Sequence, residues 1–155
     1  MILRYADDIV VGFEHEADAR RFWHAMRLRL DEFALALHPD KTRLLEFGRY
    51  AAVNRQRRGL GRPETFAFLG FIFICGSRRG AFQLQRKTRG DRMRAKLRQI
   101  KEKLRRRMHD AIAVQGRWLK QVVRGHFAYH AVPTNSRVLG KFRYHVTDLW
   151  RRTLR

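Results

Sequence analysis

The sequence predicts an α+β protein, with antiparallel hairpins packed on a helix in residues 1–85 and a three-helix bundle in residues 86–155. Two observations carry that expectation. Up to Leu84 the apolar residues fall in short β-branched and aromatic runs, punctuated by turn residues and one amphipathic stretch. Beyond Asp91 they recur every three or four positions among basic residues. A hydrophobic content of 45% over 155 residues can support a packed core in one ordinary domain or two small ones.

Taken in order, Ile2-Leu3-Arg4-Tyr5 and Ile9-Val10-Val11-Gly12-Phe13 flank Ala6-Asp7-Asp8, which predicts a β-hairpin with acids at its tip. From Ala17 to about Leu37, the spacing of Phe22, Met26, Leu30, Phe33 and Leu37 predicts an amphipathic helix. His38-Pro39-Asp40 ends it, Lys41 to Phe47 resumes in a strand-like style, and residues 66–73 read as a strand. Between them, residues 49–63 carry five arginines with Gly59, Gly61 and Pro63, and predict an exposed basic loop that orders on RNA. Gly76 to Gly80 supplies turn residues before a short Ala81–Leu84 strand, a second hairpin. Helices are then expected from an N-cap at Asp91 to Met108, near Gly116 to His130 with Trp118, Val122 and Tyr129 inward, and near Ser136 to Thr153 after a stop and fresh N-cap at Pro133-Thr134-Asn135.

The net charge of +21 calls for a polyanionic partner, RNA or DNA, because a polycation this dense repels itself when compact. Its distribution is uneven. Residues 1–48 hold seven Lys/Arg against nine Asp/Glu, and residues 49–155 hold 28 against five. Residues 86–107 contain twelve Lys/Arg with only Asp91 and Glu102 interleaved, which favours nucleic-acid contact over a solvated helix face. The RNA-contact candidates are Arg55, Arg57 and Arg58 in the basic loop, then Arg86, Lys87 and Arg89, then Arg94, Arg98, Lys101, Arg105 and Arg106 along the helix, and Tyr129 as a stacking ring. No apolar run is long enough for a membrane span and no signal peptide is indicated, so a cytoplasmic location is expected. The lone Cys75 reads as a buried reduced thiol rather than a nucleophile.

Two adjacent carboxylates at the tip of an apolar hairpin repel unless a cation sits between them, and hard magnesium ions take carboxylate oxygens together with substrate phosphates. Taken alone, Asp7-Asp8 suits an ordinary turn equally well. Tyr5-Ala6-Asp7-Asp8 between apolar strands resembles the palm motif of reverse transcriptases of the group II intron, retron and related bacterial kinds. Leu35 to Thr42, through His38-Pro39-Asp40-Lys41, resembles the following palm block, and Phe68-Leu69-Gly70-Phe71 resembles the primer-grip hairpin. Arg124 to His130, Asn135 and the segment from Phe142 through Leu149-Trp150-Arg151-Arg152 resemble the thumb, or maturase X, region of group II intron proteins.

The resemblance implies an RNA-directed DNA polymerase fragment with the C-terminal palm in residues 1–85 and the thumb in residues 86–155. It assigns Asp7 and Asp8 to magnesium, Tyr5 and Ala6 to the primer terminus, and Lys41 to the nucleotide triphosphate, although the residues alone favour a plain surface lysine there. It assigns Phe68, Leu69 and Gly70 to support of the primer. Partners would be group II intron RNA, an RNA/DNA primer–template and, in a completed enzyme, a dNTP. The pattern departs in one respect: only four residues, none acidic, precede Tyr5, so the family's other metal-binding aspartate is missing. The expectation is therefore a truncated, degraded or split gene product, inactive alone, that an upstream fingers–palm chain would complete, or else an inactive maturase-like RNA-binding module. A general basic architectural protein accounts for the charge but not for the ordered blocks. His126 and His130 stand four apart, but without an acid between them or a cysteine pair nearby they suit packing or RNA stacking better than zinc.

Overall fold

The computed structural model describes all 155 residues, which form five helices and two small antiparallel sheets in an α+β arrangement. The chain divides into two compact units, Met1–Glu46 and Phe47–Arg155. The charge divides with it, because Phe47 and Gly48 are neutral: the first unit is slightly acidic and the second holds the entire cationic excess.

In the first unit β1 (Ile2–Tyr5) pairs with β2 (Asp8–Val11), with Ile2 opposite Val11 and Tyr5 opposite Asp8. Met1 and Gly12 extend the ladder: the Gly12 N–H donates to the Met1 carbonyl at 2.8 Å and the Met1 amino group donates to the Gly12 carbonyl at 3.0 Å. A two-stranded sheet has two free edges, and Ile2, Leu3, Tyr5 and Ile9 are exposed along it. Helix α1 spans Glu16–Asp31, buries Ala19 and carries Phe22 against Phe13, ring centroids 5.3 Å apart. Exposed pairs Arg20–Glu16, Arg21–Asp18 and Arg29–Glu32, three or four residues apart, add a few tenths of a kcal/mol each.

This helix stops six residues before the expected Leu37. Ala34 takes a left-handed conformation at φ 53°, and the Leu35 N–H reaches back to the Leu30 carbonyl at 3.0 Å, a Schellman-type ending built without glycine. Phe33 is consequently off the helix and exposed. The strand expected over Lys41–Phe47 does not form either. Lys41 and Thr42 instead close a turn, both N–H groups bonding to the His38 carbonyl, and no second strand pairs with the segment.

The second unit opens with a helix where a loop was expected. Helix α2 (Ala51–Arg57) buries Ala51, half-buries Arg55 and carries Arg57 outward. Strands β3 (Phe66–Phe68), β4 (Phe71–Arg78) and β5 (Ala81–Thr88) make an antiparallel meander. The expected single strand over 66–73 is broken by Leu69-Gly70, and β5 runs four residues past Leu84. Both turns of this sheet are two residues long with two positive φ values, Leu69 48° and Gly70 78°, then Arg79 52° and Gly80 80°. That is type I′ geometry, whose twist matches the strands. Register puts Phe66, Phe68, Phe71 and Phe73 on one face; Phe66 stacks on Phe73 at 4.9 Å and meets Phe47 edge-on at 5.0 Å. Cys75 is half-buried, with the Gly48 N–H 3.2 Å from its sulfur.

Three helices follow: α3 (Gly90–Arg106), α4 (Ile112–His130) and α5 (Ser136–Thr153). Ile100 and Leu104, Leu119, and Phe142 and Val146 meet in one buried core, ringed by Leu97, Trp118, Val122, Phe127, Leu149 and Trp150. Each fully buried aliphatic or aromatic side chain contributes about 1.5–3 kcal/mol. Gln115 is buried beside this core, its amide donating to the Asp110 carbonyl at 2.9 Å and its oxygen accepting from Trp150 Nε1 at 3.1 Å. Asp91 is not the cap of α3. Arg89 holds that position, and its guanidinium grips the Asp91 carboxylate through two hydrogen bonds of 3.1 and 2.7 Å, which lowers the Asp91 pKa.

Sheet and helices belong to the same unit, so the expected boundary between residues 85 and 86 falls inside β5 rather than between compact parts. Asn135 joins them. Its side chain makes no cap for α5; it is fully buried, accepts from the Thr88 N–H at 3.0 Å, and donates to Thr88 Oγ1 and to the His130 carbonyl, both at 2.8 Å. Next to it, Thr134 Oγ1 accepts from the Arg86 N–H at 2.9 Å. Replacing Asn135 with alanine strands three buried partners, and Asn135→Ala is expected to lower stability by about 2–4 kcal/mol in urea unfolding. A loss below about 1 kcal/mol would show that the network does not tie sheet to bundle.

An acidic turn, a strained hairpin and a cationic helix

The tip of the first hairpin consists of two residues, Ala6 and Asp7, because Tyr5 pairs directly with Asp8. Ala6 sits at φ 50°, a left-handed conformation that costs a residue with a Cβ roughly 1–2 kcal/mol. Arg4 braces it, Nε donating to the Ala6 carbonyl at 3.2 Å. Tyr5, Ala6, Asp7 and Asp8 are all exposed. Two adjacent carboxylates can serve a hard divalent ion as two of its oxygen ligands, and phosphate oxygens and water suit the remainder. Within neither unit does a group of three or more His, Cys, Asp or Glu side chains gather around such a centre. Lys41, also in the first unit, is exposed on the His38–Thr42 turn.

In the second unit, Phe68, Leu69 and Gly70 form the β3–β4 turn, and its strain is contained by contacts from two directions. Tyr129, the penultimate residue of α4, donates its hydroxyl to the Leu69 carbonyl at 2.9 Å and stacks on Phe71 at 5.8 Å. The Arg89 N–H donates to the Gly70 carbonyl at 3.0 Å. Tyr129 thus lies outside the helical core, with 56% of its surface exposed, and its hydroxyl is occupied by the turn. Behind it, His130 packs at 5.4 Å from Phe71, and His126 lies between His130 at 4.1 Å and Phe142 at 3.8 Å. The two histidines form a packed stack. Burial, helped by the charges of His130 and Lys96, lowers the His126 pKa to about 4.

The cationic candidates separate into distinct settings. On α3, Arg94, Arg98, Lys101 and Arg105 stand four, three and four residues apart, which places them in one exposed stripe flanking the face that buries Ile100 and Leu104; Arg106 is also exposed. Lys87 is exposed on β5, while Arg86 is half-buried and Arg89 is committed to Asp91. Around α2, Arg57 is exposed, Arg55 donates to the Gly61 carbonyl at 3.0 Å and Arg58 to the Asn54 carbonyl at 3.3 Å. Sequence reasoning passed over the outward side of α5, where Tyr144, His145 and Arg152 are exposed. The available signal was the seven-residue interval from His145 to Arg152, two helical turns. No helix is long and apolar enough to cross a membrane. Comparison with protein-family models, with curated proteins and with solved structures finds no match.

Two expected outcomes test this geometry. Ala6→Val forces a β-branched side chain into the left-handed region and is expected to lower stability by about 1–2 kcal/mol, whereas Ala6→Gly leaves it within about 1 kcal/mol, both read by thermal unfolding. His126 is depressed in the fold, so the unfolded chain takes up its proton first. The stability tied to the neutral ring is present above about pH 6.5 and is lost as pH falls toward about 4. Across that window the melting temperature of the parent protein should fall more steeply than that of His126→Gln; parallel curves would show that His126 does not titrate as its surroundings imply.

Proposed function

We propose that this chain contributes palm and thumb elements to an RNA-directed DNA polymerase of the group II intron-encoded kind, acting on intron RNA and on a primer–template. The acidic turn carries the reading. It offers two consecutive acids, Asp7 on the exposed two-residue tip and Asp8 at the start of β2, beside a strained conformation at Ala6, the kind of strain that collects at functional sites. Magnesium, when bound there, would supply activation of the primer 3′-hydroxyl and stabilisation of the leaving pyrophosphate.

On this reading Asp7 and Asp8 would hold the ion. Tyr5 shapes the primer terminus beside them. Lys41 neutralises the triphosphate. Phe68, Leu69 and Gly70 support the primer strand, with Tyr129 as the positioning residue that fixes their turn, and the stripe of α3 holds RNA phosphates.

A second reading, a maturase-like RNA-binding module without polymerase chemistry, is favoured by the donor count: Asp7 and Asp8 are joined by no third ligand group. One set of measurements separates them. The chain alone is expected to bind structured RNA with an affinity that falls steeply with salt, by about 0.7–0.9 in log K per phosphate contact per decade, and to extend no primer. Manganese should broaden the NMR signals of Asp7 and Asp8, and Asp7→Asn should remove that effect. Absent or salt-insensitive RNA binding overturns both readings. Binding without manganese broadening leaves the module, and magnesium-dependent extension abolished by Asp7→Asn would show that this chain catalyses unaided.

A further inference from the structure

Helices α3 and α5 leave a cleft between them, of which the proposed roles above use only the α3 cations Arg98 and Lys101 and not the α5 wall. It is a shallow, open groove of about 420 Å³, with Leu97 and Leu149 as its apolar lining and Arg98, Lys101, His145 and Arg152 around it. One acid, Asp148, stands among these cations, and it is engaged: its carboxylate bonds Arg152 at 2.8 Å and Arg151 at 3.1 Å. The pair fixes Arg152 beside the cleft while leaving its side chain 72% exposed. Tyr144, 69% exposed, meets His145 edge-on at 5.6 Å, so an open aromatic ring adjoins one wall.

We propose that the α3–α5 cleft seats a single-stranded RNA segment, with phosphates over Arg98, Lys101 and Arg152 and an unpaired base on Tyr144. The proposal rests on the chain being an RNA-binding protein. Three features select this occupant. The cations are long side chains with exposed heads, which bind a repeating anion by displacing its counterions better than they enclose a small free anion. A solvent-facing aromatic ring beside them suits a base with a free face, which a duplex does not present. An acidic protein segment would meet the charge but would leave Tyr144 without a function.

Fluorescence anisotropy with a labelled oligouridine and with an RNA duplex of equal length tests this on the full chain. Arg98→Gln/Lys101→Gln/Arg152→Gln is expected to weaken oligouridine binding at least about 10-fold and to lower the slope of log K against log salt by about 2, the value for three lost contacts to a single strand. Tyr144→Ala is expected to weaken oligouridine binding about 5-fold or more while leaving duplex binding unchanged. Arg27→Gln/Arg78→Gln/Arg117→Gln removes equal charge from exposed positions elsewhere and should change affinity less than about 3-fold. All these residues are solvent-exposed, and circular dichroism confirms that each variant folds. If the parent binds RNA and the cleft variant loses no more than the control, the cleft is overturned while RNA binding stands. If Tyr144→Ala weakens duplex and single strand equally, the base-stacking role is overturned. If the parent binds no RNA at all, the underlying reading fails and the cleft falls with it.

Discussion

The second unit depends on one buried amide. Asn135 uses its oxygen and both its N–H groups, and its three partners come from the end of β5 and the last turn of α4. A polar side chain with no exposed surface is favourable only when fully satisfied, and here no buried side-chain polar atom lacks a partner. The geometry is therefore restrictive. The sheet, the α4–α5 connection and the start of α5 can be brought together only in the register that satisfies this amide. Apolar packing of Phe142 and Ile100 supplies most of the favourable energy, but hydrophobic contact tolerates sliding and hydrogen bonds do not. The orientation of the Phe68–Phe71 hairpin relative to α4 follows from it, because Thr88 lies opposite Phe71 in the ladder.

How much of this was legible in the sequence depended on whether local signals agreed. Helix α5 could be read to the residue because Pro133 and Asn135 precede it and a clean apolar period follows. Asn135, however, was legible only as a cap; its true partners lie 47 and five residues away, and no local pattern announces a buried long-range amide. The early end of α1 was hidden because the left-handed position fell on alanine instead of glycine. Helix α2 was hidden for the opposite reason: the glycines and proline that follow it, with five arginines, suggested a loop, although those breakers lie beyond Arg57 and end the helix.

The candidate sites divide along the same line. Asp7 and Asp8 were legible as neighbours because consecutive residues keep their backbones together, although sequence does not fix which way each carboxylate points. The exposed stripe of α3 was legible because helical periodicity projects a line of charge directly. The cleft was not, since it joins Leu97–Lys101 to His145–Arg152, segments brought together only by the bundle core. The restraint of the Leu69-Gly70 turn by Tyr129 was equally invisible: the aromatic ring suggested stacking, and nothing near it in the chain identified the carbonyl it binds.

The uneven charge has a consequence for the conditions under which such a molecule works. Nearly all of the repulsion resides in residues 47–155, the same part that carries the cationic stripe and the cleft. Dissolved ions relieve that repulsion and so favour the compact form, yet they also compete with phosphates for the same arginines and lysines. Ionic strength therefore acts on folding and on the capture of any polyanion with opposite signs. A polyanion would resolve the conflict by screening the chain and occupying it at once, and any such partner would act on the folding of this unit as well as on its binding.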